Sequence, residues 1–264
     1  MARAYEFDHL AIAVERWRDG FPRLVGEFGG RWTYGGDNSN GFAAAVLSYA
    51  HDMRLELIAP SSAHSFMRRF LDRSGPGPHH ITFTVPSLDA MLGEMSERGI
   101  SAFRGRTDRP LWQEAFVHPK QVGLGTLLQV AQDDEPPTAG PTPQPLSPEF
   151  PQAQGEPAEI AWIGLSVESV AAAGRLLTDV LRGEWVAGGR GWARIGWSKG
   201  HDLVIRDGAV TPGGPDLWPA GQLGVAHVMF APAGLDLGAL ERREVRAQRR
   251  PDDPLTGLTA WVTG

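Results

Sequence analysis

Four stretches of this 264-residue chain repeat one pattern, and that repetition limits the fold more than any other feature. They are Phe7–Val14, Pro78–Val85, Ile160–Val167 and Val225–Pro232. Each alternates a large apolar residue with a small or polar one, the period of a strand with two unlike faces. The first three are followed by a helix-like stretch, such as Leu88–Arg98, which Gly99 closes. Strand-like runs come next: 41–48 and 54–58 in the first repeat, 115–118 and 126–131 in the second. The unit reads strand–helix–strands, so an α+β fold of tandem modules is expected. The fourth repeat is short. After a helix-like run over 235–246 it leaves room for one or two strands, ending near Thr259–Val262.

A change of composition divides the repeats into pairs. Residues 134–158 hold eight prolines and almost no large apolar side chains, so they cannot build a core and are expected to form a semi-extended linker. This predicts one domain over 5–133 and a second over 159–264, each of two repeats.

Strand phase shows where polar side chains emerge. Leu10, Ile12 and Val14 share one face of the first strand, so His9 takes the other. In the same way Glu56 stands opposite Leu55 and Leu57, His80 opposite Ile81 and Phe83, and Gln129 opposite Leu128 and Val130. Each of the first two repeats thus offers two metal-capable residues on the face away from its helix. Two imidazoles, a carboxylate and an amide oxygen on rigid strands are a credible set for one first-row divalent ion, with Zn, Co, Ni, Mn and Fe all compatible. A single strand histidine is as readily a satisfied core residue; four such residues in equivalent slots are harder to explain that way. Cysteine is absent, so any metal must sit on nitrogen and oxygen ligands.

The stretches Asp8–Val14, Leu55–Pro60, His79–Val85, Phe116–Lys120 and Leu127–Val130 resemble the vicinal-oxygen-chelate superfamily, which includes glyoxalase I, bleomycin-resistance proteins and extradiol dioxygenases. Within it the N-terminal half is most similar to methylmalonyl-CoA epimerases. The resemblance spans nearly all of residues 7–132 and implies paired βαβββ modules, two such domains in tandem, and His9, Glu56, His80 and Gln129 as metal ligands. Two departures stand out. The last ligand slot holds Gln129 where the epimerases and glyoxalase I usually have Glu. The stretch 41–48 has alanines where some epimerases carry a further Glu. One or both of the usual places for a proton-shuttling carboxylate are therefore empty, which leaves Glu114, beside Trp112, and Glu56 as the candidate catalytic bases. Lys120 could meet a substrate anion.

In the second half Trp162 stands in the slot of His9, Val204 in that of Glu56 and Trp261 in that of Gln129; only His227 matches His80. This half is expected to be metal-free. Its six tryptophans (162, 185, 192, 197, 218 and 261) either fill the collapsed site or line a pocket for a flat aromatic ligand.

The resemblance implies a metal-dependent glyoxalase- or epimerase-like enzyme acting on a small carbonyl or acyl-CoA compound through an enediolate-type intermediate. The alternatives are a non-catalytic binding protein for an aromatic small molecule and a ring-cleaving dioxygenase. The net charge of −6 argues against a nucleic-acid partner. The basic run 242–250 reads as a solvated helix end. No apolar signal core or bilayer-spanning run occurs, so a cytoplasmic protein is expected. Its state is either a monomer whose tandem halves mimic a dimer or a homodimer.

Overall fold

The computed structural model describes residues 4–38, 41–105, 111–134, 150–207, 218, 221–232, 247–250 and 252–263. The first module is β1 (Glu6–Ala13), helical turns over Trp17–Gly20 and Phe21–Glu27, then β2 (Arg31–Asn38), β3 (Phe42–Ser48) and β4 (Arg54–Pro60). A connecting helix α1 (Phe66–Ser74) leads to the second module: β5 (Gly77–Thr84), α2 (Leu88–Glu97), β6 (Ala102–Arg104), β7 (Trp112–Val117), α3 (Pro119–Val122) and β8 (Leu127–Asp133). The third is β9 (Glu159–Val167), α4 (Val170–Arg175), a helical turn over Leu176–Val180, then β10 (Glu184–Gly189), β11 (Trp192–Gly196) and β12 (Asp202–Asp207). The fourth contributes β13 (Gly224–Ala231), β14 (Ala247–Arg249) and β15 (Ala260–Thr263).

The four repeat strands are β1, β5, β9 and β13, as the alternation predicts. The first pair of modules forms an eight-stranded sheet of order β2-β3-β4-β1-β5-β8-β7-β6. The second pair forms a seven-stranded sheet of order β10-β11-β12-β9-β13-β15-β14. In each, two modules meet through an antiparallel central pair, β1 with β5 and β9 with β13, and each module's first and last strands run parallel. The mixed sheets with few helices are those of an α+β fold of tandem modules.

Local chemistry explains the helices. Ser87 and Ser169 stand at equivalent places after β5 and β9, and each hydroxyl accepts from the backbone N–H three residues on, at 3.3 Å. Leu88, Met91 and Met95 put one buried stripe of α2 on the sheet, and Gly99 at φ 74° ends the turn.

The sequence pattern misses several elements. Helix α1 lies between repeats, and its buried residues are only Met67 and Leu71. Strands β2 and β10 are poor in alternating apolar residues, and β6 is three residues long. The described end of the basic run is corrected: Ala247–Arg249 is a strand paired antiparallel to β15, not a helix end, and residues 242–246 lie outside the described residues. The expected helix over 235–246 and most of the proline-rich stretch lie outside the described residues.

One contiguous core joins the two sheets. It takes Phe7, Leu10 and Ile12 of β1, Ile81 and Phe83 of β5, and Ile163, Leu165, Val228 and Phe230 of the second sheet. Trp197 packs on Phe7 and Phe83 with ring centroids 6.0 and 5.0 Å away, and Phe28 stacks on Phe230 at 3.8 Å. Each large apolar side chain buried this way contributes about 2 kcal/mol.

His201, 3% exposed, fastens the same junction: its Nδ1 lies 2.7 Å from the carbonyl of Phe7 and its Nε2 2.9 Å from that of His51. His201→Ala removes the ring that bridges these two carbonyls and the N–H that one of them accepts. It is expected to cost about 2–3 kcal/mol in urea unfolding, and a loss below about 0.5 kcal/mol would show that the junction is held elsewhere.

Candidate metal centre

The repeat strands share a feature that positions the site. Each carries an irregularity that leaves one residue unpaired in the β1–β5 or β9–β13 ladder. Phe7 pairs with Phe83 and His9 with Thr82, so Asp8 is the extra residue; Ala11 pairs with His80 and Ile12 with Pro78, so His79 is. In the second sheet Ala226 and Ala161 occupy the same places. A β-bulge switches the face of every later residue in its strand, because side chains alternate. Phe7 can therefore share the core with Leu10 while His9 turns to the opposite face. The bulge also brings the extra side chain against the next one: Asp8 Oδ2 lies 2.7 Å from His9 Nδ1, and His79 Nδ1 lies 2.8 Å from His80 Nδ1.

On that face His9, Glu56 and His80 converge, with one ligand-type atom from each within 4.8 Å of the others. Glu56 Oε2 is 3.3 Å from His9 Nε2 and 3.8 Å from His80 Nε2. Gln129 completes the ring through Thr82, whose hydroxyl donates to Gln129 Oε1 at 2.5 Å and lies 2.9 Å from His9 Nε2. Gln129 Nε2 in turn donates to Glu114 Oε2 at 2.8 Å, so its amide oxygen faces the two histidines and its nitrogen faces away. The four sequence-derived candidates thus lie together, and Glu114 stands directly behind Gln129. Trp112 Nε1 also donates to Glu114, at 2.8 Å. Lys120 lies apart, exposed on α3. The strand lacking the further carboxylate presents Val46 beside Glu56, and Ala44 next to it.

Two groups carry no clear signal in the sequence. Asp8 is buried, holds the Nδ1 side of His9 and meets Arg54 at 3.4 Å. Its one sequence signal is its place beside His9, since strict alternation would send it to the opposite face. Thr82 is fully buried among the candidate ligands. Alternation puts it on the correct face, but a lone threonine on a strand carries no ligand signal.

The electrostatics follow from burial and pairing. Burial opposes charge on His9, but the Asp8 and Glu56 carboxylates outweigh it and hold the imidazole up at about 9. Burial likewise opposes charge on Asp8, but His9 and Arg54 keep it well below the usual carboxylate range. Burial, with His79 and His9 nearby, pushes His80 well below the ordinary histidine value, and burial foremost raises Glu114 despite its two donors.

These residues fit a divalent ion. Donors about 2.1 Å from a common ion stand roughly 3–3.5 Å apart, close to the spacing here. His80 Nε2 is buried without a hydrogen-bond partner and faces Glu56, an orphaned donor atom that a cation would satisfy. His9 has the carboxylate support typical of a ligating histidine, with Nδ1 on Asp8 and Nε2 turned to the cluster.

The register carries the same slots into the second sheet. Val204 pairs with Gly164 as Glu56 pairs with Ala11, and Trp261 pairs with Met229 as Gln129 pairs with Thr82. Trp162 Nε1 donates to His227 Nε2 at 3.1 Å, so an indole N–H fills the position that a shared ion would take. Of the six tryptophans, Trp197 and Trp261 are buried, Trp162 and Trp218 half-buried, and Trp185 and Trp192 exposed on β10 and β11.

Residues 8–116, which lie within the first sheet, match the Glyoxalase/Bleomycin resistance protein/Dioxygenase superfamily. Over the whole chain, a hypothetical protein from Staphylococcus aureus shares the fold with a TM-score of 0.62 at 10% identity, covering 98% of this chain and 99% of its own. The uncharacterised protein YqjC of Bacillus subtilis (strain 168) is 25% identical over 130 residues, 47% of this chain and 90% of its own. A methylmalonyl-CoA epimerase from Mycobacterium tuberculosis is 26% identical over 51% of this chain and 91% of its own, with a TM-score of 0.45. No helix among the described residues is long and apolar enough to cross a membrane.

Proposed function

We propose that the first domain binds one divalent ion through His9, Glu56, His80 and Gln129 and moves a proton next to the carbonyl of a small carbonyl or acyl-CoA compound. The observation that carries this reading is the convergence of His9, Glu56 and His80 around a buried imidazole nitrogen with no partner. A bound ion supplies Lewis-acid polarisation of a substrate oxygen, which lowers the cost of removing the neighbouring proton by several kcal/mol. The chain's own groups do the rest. Asp8 and Thr82 fix His9, and Thr82 and Glu114 fix the amide of Gln129, so the polar groups are oriented before substrate arrives. Glu114 is assigned as the base: its carboxylate accepts from Gln129 at the edge of the cluster. Glu56 lies among the ligands and serves as base only by leaving them.

The test is deuterium incorporation in D2O, followed by mass spectrometry, with methylmalonyl-CoA and the hemithioacetal of methylglyoxal as probes. Exchange at the carbon beside the carbonyl is expected, and chelation should remove it. Glu114→Gln should slow it about 10²–10⁴-fold while metal content stays at the wild-type level. Exchange that survives Glu114→Gln at full rate would transfer the base to Glu56. A metal-loaded protein that exchanges neither probe would overturn the reaction assigned.

A further inference from the structure

We propose that Arg206 and Ser166 form an oxyanion site on the second sheet, one that takes the carboxylate of a small organic acid with a planar body. The site lies on the same face as Trp162 and His227, one row further along the strands. In that row Arg206 of β12 pairs with Ser166 of β9, and Ser166 pairs with Gly224 of β13. The matching row of the first sheet is Ile58, Ala13 and Gly77, an apolar patch that Met67 and Leu71 of α1 cover. The same fold therefore closes this row with hydrocarbon in one half and carries a cation and a hydroxyl there in the other.

Each of the two groups carries a stranded atom. Arg206 is 3% exposed and Ser166 1%, yet Arg206 Nε and Ser166 Oγ have no hydrogen-bond partner. Among the described residues no carboxylate pairs with Arg206. Asp202, the carboxylate on the same face of β12, is engaged by Arg194 at 2.5 Å. A guanidinium cannot escape this by losing its proton, so burying it with an unpartnered Nε and an indole face rather than a carboxylate beside it is costly. Protein groups retain such a cost where a ligand supplies the missing charge, and the guanidinium fork suits a carboxylate or phosphate with two parallel bonds.

The surroundings favour a planar ligand. Trp218 covers the guanidinium at 5.0 Å and meets His227 edge-on at 4.7 Å. Trp192 pairs with Arg206 from the other side and is 36% exposed, an indole at the mouth of the row. An aromatic acid could place its carboxylate on Arg206 and Ser166 and its ring against these indoles.

The experiment uses the full chain, titrated with benzoate, acetate and inorganic phosphate by calorimetry and by thermal unfolding. Benzoate is expected to bind saturably, raise the melting temperature and bind at least tenfold more tightly than acetate. Arg206→Met should abolish that binding and, without ligand, raise the melting temperature, because it removes an unpaired buried charge at nearly equal volume. A merely structural arginine would shift the melting temperature the other way. Ser166→Ala, the milder variant, should weaken benzoate about tenfold, the loss of one hydrogen bond. Tight phosphate binding abolished by Arg206→Met supports the oxyanion site and makes phosphate its anion. Failure of all three anions to bind, or binding that survives both substitutions, would overturn it. None of these outcomes depends on the metal site of the first domain.

Discussion

Replacing His9 and His80 together with alanine is expected to take the divalent metal content from about one ion per chain to none, measured by elemental analysis after purification without added metal. Glu56 and Gln129 alone cannot hold a first-row ion against dilution, since two oxygen donors without imidazole give a weak, open site. Wild-type protein at a thousandfold excess of metal over the dissociation constant should gain about 4 kcal/mol of stability, or roughly 10 °C in melting temperature. The double variant should gain nothing from added metal. The comparison is between each protein with and without metal, so the packing lost with the imidazoles cancels. Asp8→Asn should act more gently. It leaves every ligand in place but takes the charge from the group that fixes His9 Nδ1, and metal affinity should fall about 10–100-fold. A double variant that keeps its ion would remove the assignment, as would a wild-type protein that takes up none.

The ligand candidates are legible in the sequence because strand alternation is a strict rule and the four modules repeat it. Once Leu10 and Ile81 are assigned to the core, His9 and His80 can only face away. The register then sets the four slots against one another without reference to side-chain type, which is why Val204 and Trp261 can be matched to Glu56 and Gln129. The bulges are not legible. Alternation alone would put Phe7 on the face of His9, and only the unpaired Asp8 reconciles the buried Phe7 with the outward His9. Asp8 therefore stays hidden although it stands next to a residue that the pattern reveals. Helix α1 and strands β2, β6 and β10 escape for another reason: each buries few large apolar residues, so periodicity has little to register. The stranded Arg206 is invisible for the opposite reason. An arginine in a strand ordinarily reaches solvent, and only the tertiary structure shows this one covered by Trp218.

Gly125→Val is expected to be among the most damaging single substitutions outside the metal centre, costing about 4 kcal/mol or more and lowering the melting temperature by roughly 10 °C. Gly125 lies at φ 68°, where a β-branched residue is strained. Strain is the smaller part. A Cβ at Gly125 would lie 2.3 Å from the backbone nitrogen of Gly224 and 2.5 Å from Cβ of Leu223. Gly224 is the first residue of β13, and a Cβ there would lie 2.7 Å from the Gly125 carbonyl oxygen. Two backbones of different sheets thus touch where neither can carry a side chain, and next to them Glu168 N–H donates to the carbonyl of Gly123 at 2.9 Å. Gly99→Val separates the two causes. Gly99 also has a positive φ, 74°, but a Cβ there meets nothing within 4 Å, so only strain remains, about 1–2 kcal/mol. Equal losses at the two positions would show that the contact between the sheets gives way freely. Because one core runs through both sheets, the damage at Gly125 should also spread. Unfolding followed by near-ultraviolet circular dichroism and by metal release should show a single transition, moved as a whole. If metal were still released at the wild-type temperature while the tryptophan signal moved alone, the two sheets would be separate folding units despite their shared core.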